Sequence, residues 1–402
     1  MKLKSSTRAG ARIAVLSVAI ASLALLAGCS TVKGWFGGKD KAGDSSSNKP
    51  AELVEFAPTA TVTRLWSARA GGGEDRLGAR QGPAVADGRV YAAAVEGGVR
   101  ALDLQTGATA WTYASKLPLS GGPGAGDGIV VVGSLEGDVI ALDASTGNEK
   151  WKAKVNNEII AAPAVGQGLV VVHGNDGRVT AFDENTGERR WFWNRDAPLL
   201  SVRGNDSPLL VPGLVFVGND DGTLSALSIT DGRPQWDQTV AEASGRNDLE
   251  RMADVDGTPA LDGITLYASS YKGQTVSIEG PSGRVQWSAQ SGGPGRVGVG
   301  SDRVVVADAN GTVWALDKST GGVLWQQAGL ARRNVSGTAV QGDYAVVGDF
   351  DGYLHWLNLS DGSFAARQRV GGDAIKAAPV VVDGVLVVQT TGGEVSAWRV
   401  GQ

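Results

Sequence analysis

A chain of 402 residues with 37 Lys and Arg against 42 Asp and Glu, a single cysteine and 59 glycines is barred from several classes before any motif is read. Its formal charge of −5 argues against nucleic-acid or anionic-lipid binding through bulk charge. One cysteine forbids an intramolecular disulfide.

The first residues read as a secretory leader. Lys2, Lys4, Arg8 and Arg12 form a basic region, Ile13 to Ala27 is apolar, and Leu26-Ala27-Gly28-Cys29 closes the run with the small residues a signal peptidase needs. An apolar run of roughly 15 residues falls short of the ~20 that a helix needs to cross hydrocarbon, which argues against a permanent membrane anchor. Residues 1–28 are therefore expected to be a lipoprotein signal peptide, with Cys29 as the acylated first residue of the mature chain. Each buried CH₂ of such an acyl chain contributes about 0.8 kcal/mol, so several chains hold a protein at a leaflet. Ser30 stands where an inner-membrane retention signal places Asp, which favours the outer membrane and its periplasmic face.

Residues 29–55 are expected to be a lipidated tether, because Gly34 to Glu52 is rich in Gly, Ser, Lys and Asp and has little to bury. Loss of the leader removes four basic residues and leaves 33 against 42 acidic ones, a net charge of −9.

From there one pattern recurs: a Gly turn, a short apolar strand ending in Leu-Asp, a Thr-Gly turn, and a Trp four residues after that Gly. It reads EGGVRALDLQTGATAW to Trp111, EGDVIALDASTGNEKW to Trp151 and DGRVTAFDENTGERRW to Trp191. Looser copies end at Trp236, Trp287 and Trp325, a seventh carries Ala366 in place of Trp, and an eighth, GGEVSAW, starts at Gly392. The first-turn glycines are 38 to 51 residues apart, the spacing of propeller blades. In the second unit Ile129–Gly133, Val139–Asp143 and Glu149–Ala153 read as strands, with an inner strand of the type Ile160–Val165 in the following unit. The prediction for residues 56–402 is an all-β, eight-bladed β-propeller of four-stranded antiparallel blades. Each motif Trp is expected to pack on the neighbouring blade and not to stack a ligand.

The eighth copy stops after its third strand, near Val400. An orphan strand, Val62 to Ala68 with Trp66, precedes the first copy. This N-terminal strand is expected to complete the last blade, closing the ring and removing a free sheet edge.

Function is sought where the repeats differ. From the motif Trp to the Pro that opens the next blade takes 12 residues at Trp111–Pro123 and at Trp151–Pro163, then 17 at Trp191–Pro208 and 23 at Trp236–Pro259. Both insertions fall in one loop type, hence on one rim in adjacent blades, where repeat proteins carry binding. Either Leu200, Val202 and Arg203 face a partner, or Leu200, Val202 and Met252 tuck under their own loops and Arg203 pairs with Asp254 or Asp256.

The repeat resembles the tryptophan-docking repeat of quinoprotein dehydrogenases, which raises an enzyme as a rival. Only two histidines, His173 and His355, and one cysteine are present, so no catalytic or metal set is assembled and no cofactor is assigned. Asn219-Asp220-Asp221-Gly222 and Asp349-Phe350-Asp351-Gly352 look like calcium loops but recur at hairpin positions and read as turns. Gly293 to Gly298 matches a dinucleotide fingerprint by letters alone and opens a strand, not a helix.

The lipobox, the tether, the eight repeats, LSVRG at Leu200–Gly204, ERMADVDGTP at Glu250–Pro259 and DGYLHW at Asp351–Trp356 together resemble the propeller lipoproteins of the outer-membrane β-barrel assembly machinery. The resemblance covers essentially the whole propeller. It implies a non-catalytic scaffold of that complex, contacting a periplasmic POTRA domain of the barrel-forming subunit BamA through Leu200, Val202, Arg203, Asp254 and Asp256. Val202 departs from the Leu common at its place. Unfolded outer-membrane protein clients are further expected partners and nucleic acid is not; a quinone-dependent dehydrogenase-like or ligand-sensing propeller is the alternative.

Overall fold

The computed structural model describes residues 49–73, 80–196, 198, 200 and 207–401. The chain divides after Lys49, and the unit that begins at Pro50 holds the fold set out below; Cys29 and the leader lie outside the described residues.

Thirty-two strands, β1 to β32 in chain order, form eight antiparallel sheets of four among the described residues. Seven sheets use consecutive strands, as in blade two, which runs Gly124–Gly126, Ile129–Gly133, Asp138–Asp143 and Glu149–Lys154. This is the eight-bladed propeller that the repeat spacing predicts. The inner strand differs in detail from the sequence pattern: in place of Ile160–Val165 it runs Ala164–Gly166. Pro163 has no N–H to give to a ladder, so pairing starts only after it. Ile160 and Ala161 instead line the central channel.

Packing explains the composition of the strands. The middle strands are apolar on both faces, as at Val139, Ile140, Ala141 and Leu142, all fully buried. A blade has a neighbour on each side, so the core is a set of slabs between blades; one slab joins Ile129, Val131, Ala141 and Trp151 to Val170, Val172 and Phe182 of the next blade. Outer strands alternate, with Trp151 buried between exposed Lys150 and Lys152.

The Thr-Gly turn and the Trp form one device. Trp111 Nε1–H donates to the Ala144 carbonyl of the next blade at 2.9 Å, and Trp151 does the same to Glu184 at 2.8 Å. The ring lies against the turn glycine: a Cβ on Gly147 would stand 2.6 Å from Trp111. Gly147 also takes φ +75°, a conformation that favours Gly, so both the contact and the backbone require that residue. Asp143 Oδ1 accepts the Ser145 and Thr146 N–H groups at 3.0 and 2.9 Å and both hydroxyls, and these bonds, Ser145 first, draw its pKa down to about 2.

Closure follows the orphan strand. β1 (Val62–Arg69) pairs antiparallel with β32 (Glu394–Val400), from Val62 opposite Val400 to Arg69 opposite Glu394, with a shift at Leu65. The last sheet therefore mixes both chain ends, in the order β1, β32, β31 (Val385–Gln389), β30 (Val380–Val382). Trp66 supplies the motif Trp that the eighth copy lacks, donating to the Leu104 carbonyl of blade one at 2.9 Å.

The joint between blades seven and eight is built differently. Ala366 stands opposite Trp356 in the ladder, and the missing ring is replaced from the side: Trp356 meets Trp398 at 6.2 Å between centroids. Trp356 Nε1–H donates to Gln341 Oε1 at 2.8 Å, and Gln341 Nε2 donates to the carbonyls of Gly384 and Trp398. The buried indole is thereby satisfied without a turn carbonyl.

Residues 51–60 pack on this part of the ring. Ala51 N–H donates to Ala331, Thr59 N–H to Ala365, and Phe56 stacks on Phe364 at 5.5 Å. Residues 51–55, which composition alone groups with the tether, thus lie against blades six and seven.

Candidate interaction rim

The two insertions fold as loops from an outer strand to the next inner strand. The first joins Arg189–Asn194 to Leu209–Val211 and the second joins Pro234–Thr239 to Ala260–Asp262. Both belong to one connection type in neighbouring blades and so share a rim, as the spacing predicts. The turn Asn219–Gly222 stands between them, and Val255 N–H donates to the Asn219 carbonyl at 3.2 Å. Arg195 fixes the start of the first loop, with Nε 2.6 Å from Asp221 Oδ2 and Nη1 3.1 Å from Asp237 Oδ1.

The site residues divide by burial. Leu200 is 44 % exposed. Val202 and Arg203 lie outside the described residues, so their pairing within the loop rests on sequence alone. Asp254 and Asp256 are buried in the base of the second loop. The Asp254 carbonyl accepts Tyr271 N–H at 2.8 Å, and a Cβ on Gly257 would stand 2.3 Å from the Gly295 carbonyl oxygen, so the base is held tightly in the ring.

Asp220, Asp254 and Asp256 bring carboxylate oxygens within 4.8 Å of one another. Like charges so close favour a nearby cation. Arg80 reaches Asp256 at 3.9 Å and donates to the Pro294 carbonyl at 2.6 Å. Arg80 precedes blade one, whereas Asp256 and Pro294 lead into blades five and six, so the side chain spans the mouth of a channel of about 450 Å³ on the propeller axis. Sequence reasoning missed Arg80, since nothing local marks a partner more than 170 positions away.

A second polar centre sits in blade seven, where the turn Asp349–Gly352 reads as a hairpin and no more. Asp349 is fully buried and accepts four donors: Asp351 N–H and Tyr353 N–H on Oδ1, each at 3.0 Å, and Arg333 Nε at 2.8 Å and His355 Nε2 at 3.0 Å on Oδ2. Arg367 Nε donates to His355 Nδ1 at 3.2 Å, so His355 carries its proton on Nε2, toward Asp349. Burial holds the imidazole below its ordinary range, and the pull of Asp349 does not offset it. Burial raises the Asp349 carboxyl, but the bonds from His355, Tyr353 and Arg333 outweigh that and hold it low. Outward, Arg333 Nη1 donates to Ala51 O at 3.1 Å and Arg367 Nη1 to Val54 O at 3.0 Å, tying the N-terminal segment to this centre. Arg367 Nη2 has no hydrogen-bond partner among the described residues, but its guanidinium lies over the Phe56 and Phe364 rings at 5.0 and 5.4 Å. The other contacts of the centre stay within the fold, which is the architecture of a structural key.

The family described as "Outer membrane protein assembly factor BamB" matches residues 48–118, 95–327 and 309–400. An outer membrane protein assembly factor BamB of Xanthomonas campestris is 58 % identical over 387 residues, 94 % of this chain and 95 % of its own. The crystal structure of BamB from Moraxella catarrhalis superimposes with a TM-score of 0.77 at 29 % identity, covering 84 % of this chain and all of that one. A quinohemoprotein alcohol dehydrogenase from Comamonas testosteroni, with a TM-score of 0.66 at 17 % identity over 87 % of this chain and 78 % of its own, shares the fold alone.

Proposed function

Because the chain belongs to the BamB family of outer membrane protein assembly factors, we propose that it is a non-catalytic scaffold of the assembly complex, held by a lipid on Cys29 at the periplasmic face of the outer membrane. The observation that carries this reading is the similarity to the Xanthomonas campestris assembly factor along nearly the whole of both chains. The partner contacted directly is the POTRA region of BamA. Leu200, Val202 and Arg203 supply the contact from the first long loop, and Asp254 and Asp256, buried in the base of the second, hold that loop in register. Clients are assisted through the barrel subunit, with no chemistry on the propeller itself.

Pull-down of the tagged lipoprotein from mild detergent is expected to recover BamA. Arg203→Glu turns an attractive contact into a repulsive one, which costs about 2 kcal/mol or more for a desolvated pair, roughly a 30-fold loss of affinity. The melting temperature should stay unchanged, since Arg203 falls outside the repeated motif that packs one blade on the next. Normal BamA binding with lowered stability would instead mean that Arg203 braces Asp254 or Asp256 inside the propeller. Cys29→Ala is expected to leave an unlipidated precursor that fractionates away from the outer membrane, and full outer-membrane association would overturn the lipid assignment.

A further inference from the structure

The segment that joins the tether to the ring is held by few groups. Residues 51–58 form no strand or helix, and none of them is buried. Ala51 is bonded at both backbone atoms, its N–H to the Ala331 carbonyl at 2.8 Å and its carbonyl to Arg333 Nη1 at 3.1 Å. In the middle, Arg367 of β29 (Phe364–Arg369) donates Nη1 to the Val54 carbonyl at 3.0 Å and lays its guanidinium over Phe56. Thr59 and Ala60 N–H then donate to the Ala365 carbonyl at 2.9 and 3.2 Å, and β1 follows. Ordering each residue of such a segment costs conformational entropy, so its few contacts decide whether it stays down.

Arg367 takes its position from His355 of β28 (Tyr353–Asn358), whose Nδ1 accepts its Nε at 3.2 Å. His355 is fully buried. It is faced by Asp349 at Nε2, by Arg333 from the loop between blades six and seven, by Arg367, and by the Tyr353 and Phe364 rings at 6.2 and 6.1 Å. Asp351 is turned to Arg333, while Glu52 and Glu55 of the segment itself are exposed. A neutral imidazole satisfies both sides, donating to the carboxylate and accepting from the guanidinium. A proton on Nδ1 sets donor against donor and places a third cation beside two. The two arginines are not held equally. Arg333 meets Asp349 and Asp351 at 2.8 and 2.6 Å, whereas Arg367 is half-buried and forms no ion pair among the described residues. Burial, and then the charge on Arg333, already disfavours the Arg367 cation. Arg367 is therefore the group that moves toward solvent, giving up the Val54 carbonyl and Phe56 as it goes.

We propose that protonation of His355 is a switch that unclasps residues 51–57 from blades six and seven and so lengthens the tether, with β1 and the closed ring left in place. The bonds of Thr59 and Ala60 to Ala365 set the limit of the release. Seven residues at ~3.3–3.6 Å each add up to about 25 Å of reach. The release stands on the ring itself; only its effect on reach rests on the lipid assigned to Cys29.

The test attaches a nitroxide to Val54→Cys, at a side chain 68 % exposed, or to Thr63→Cys on β1, in the full-length lipoprotein in detergent. Burial holds the imidazole below its ordinary value of ~6.5, so the change falls beneath that pH. On titration from about pH 7.5 to about pH 4.5 the Val54 label should turn from immobile to mobile, the ratio rising by up to about tenfold per pH unit, the slope of one proton. The Thr63 label should stay immobile throughout. Arg367→Met drops the guanidinium from a half-buried site and is expected to leave the Val54 label mobile at both ends of the range, whereas in His355→Gln that label should not respond to pH. A Val54 label that stays immobile in the titrated parent or in Arg367→Met, or that responds equally in His355→Gln, overturns the switch. Mobilisation of both labels together would mean that the whole ring opens, and the proposal falls with it. Label taken up by the parent without an added cysteine would reveal a free Cys29 thiol, which removes the gain in reach and leaves the release standing.

Discussion

Deletion of Val62–Arg69 is expected to abolish the stable closed monomer. β1 is the whole outer strand of the last blade, paired with β32 along its length, and every other strand among the described residues already has its place in a blade. Without it the β32 edge is left open to pair with another chain. The indole of Trp66, 8 % exposed, would also leave its dock against blade one and the Leu104 carbonyl. A ring of that size buries ~150–250 Å², or about 4–6 kcal/mol at ~25 cal/mol per Å². That single side chain approaches the ~5–15 kcal/mol that separates a folded domain from its unfolded state, before any other contact of the strand is counted. The residues that stack on Trp66, Gly107 above all, would lose their partner at the same time. Thermal unfolding and size-exclusion elution should therefore show an aggregating or largely unfolded product. Deletion of residues 36–50, which leaves β1 and the contacts of Ala51, Val54, Phe56 and Thr59 in place, should lower the melting temperature far less. Equal unfolding of the two truncations would refute closure by the N-terminal strand.

The architecture was legible because the repeat announces itself: Gly, Leu-Asp, Thr-Gly and Trp at fixed offsets are the groups that dock one blade on the next. Trp66 was readable for the same reason, as a motif Trp without its repeat. Ala366 was readable as an exception, but not the cure for it, since Gln341, Trp356 and Trp398 meet only in the folded ring. Loop lengths placed both insertions on one rim, yet spacing carries no information on which side of a loop faces inward. Asp254 and Asp256 therefore look like surface acids in the sequence and are buried in the structure, whereas Leu249, one residue among many in an acidic loop, is the group presented to solvent. Arg80, Arg333 and Arg367 escaped notice because an arginine on a loop or an outer strand carries no mark of the carboxylate or imidazole it will meet in the folded ring.

Asp349→Asn is expected to lower the melting temperature by an amount far larger than any surface change on the same turn. Both Asp349 oxygens are acceptors for two donors each, and the side chain is fully buried. An amide in its place turns an NH₂ toward donors and leaves the Arg333 guanidinium, itself 5 % exposed, without its buried counter-charge. Breaking a buried pair from one side costs about 3–5 kcal/mol, which corresponds to a fall on the order of 5 °C in a domain of this size. Asp351→Asn removes only the half-exposed partner of Arg333 and should cost well under 1 kcal/mol, in the manner of a surface pair. The same centre gives the fold a pH dependence of definite sign. His355 has a folded pKa below its ordinary value, so once the pH falls under about 6.5 the unfolded chain binds a proton that the folded chain refuses, and stability declines. Asp349, also lowered, adds a second decline once the pH drops below the ordinary carboxylate value of about 3.9. Melting temperatures between pH 7.5 and 5 should therefore fall for the parent. In His355→Gln, which has no imidazole to titrate at this centre, that slope should flatten from a lower starting stability. A parent protein that is more stable at pH 5 than at pH 7.5, or a variant with an unchanged slope, would show that His355 is not held neutral in the folded ring.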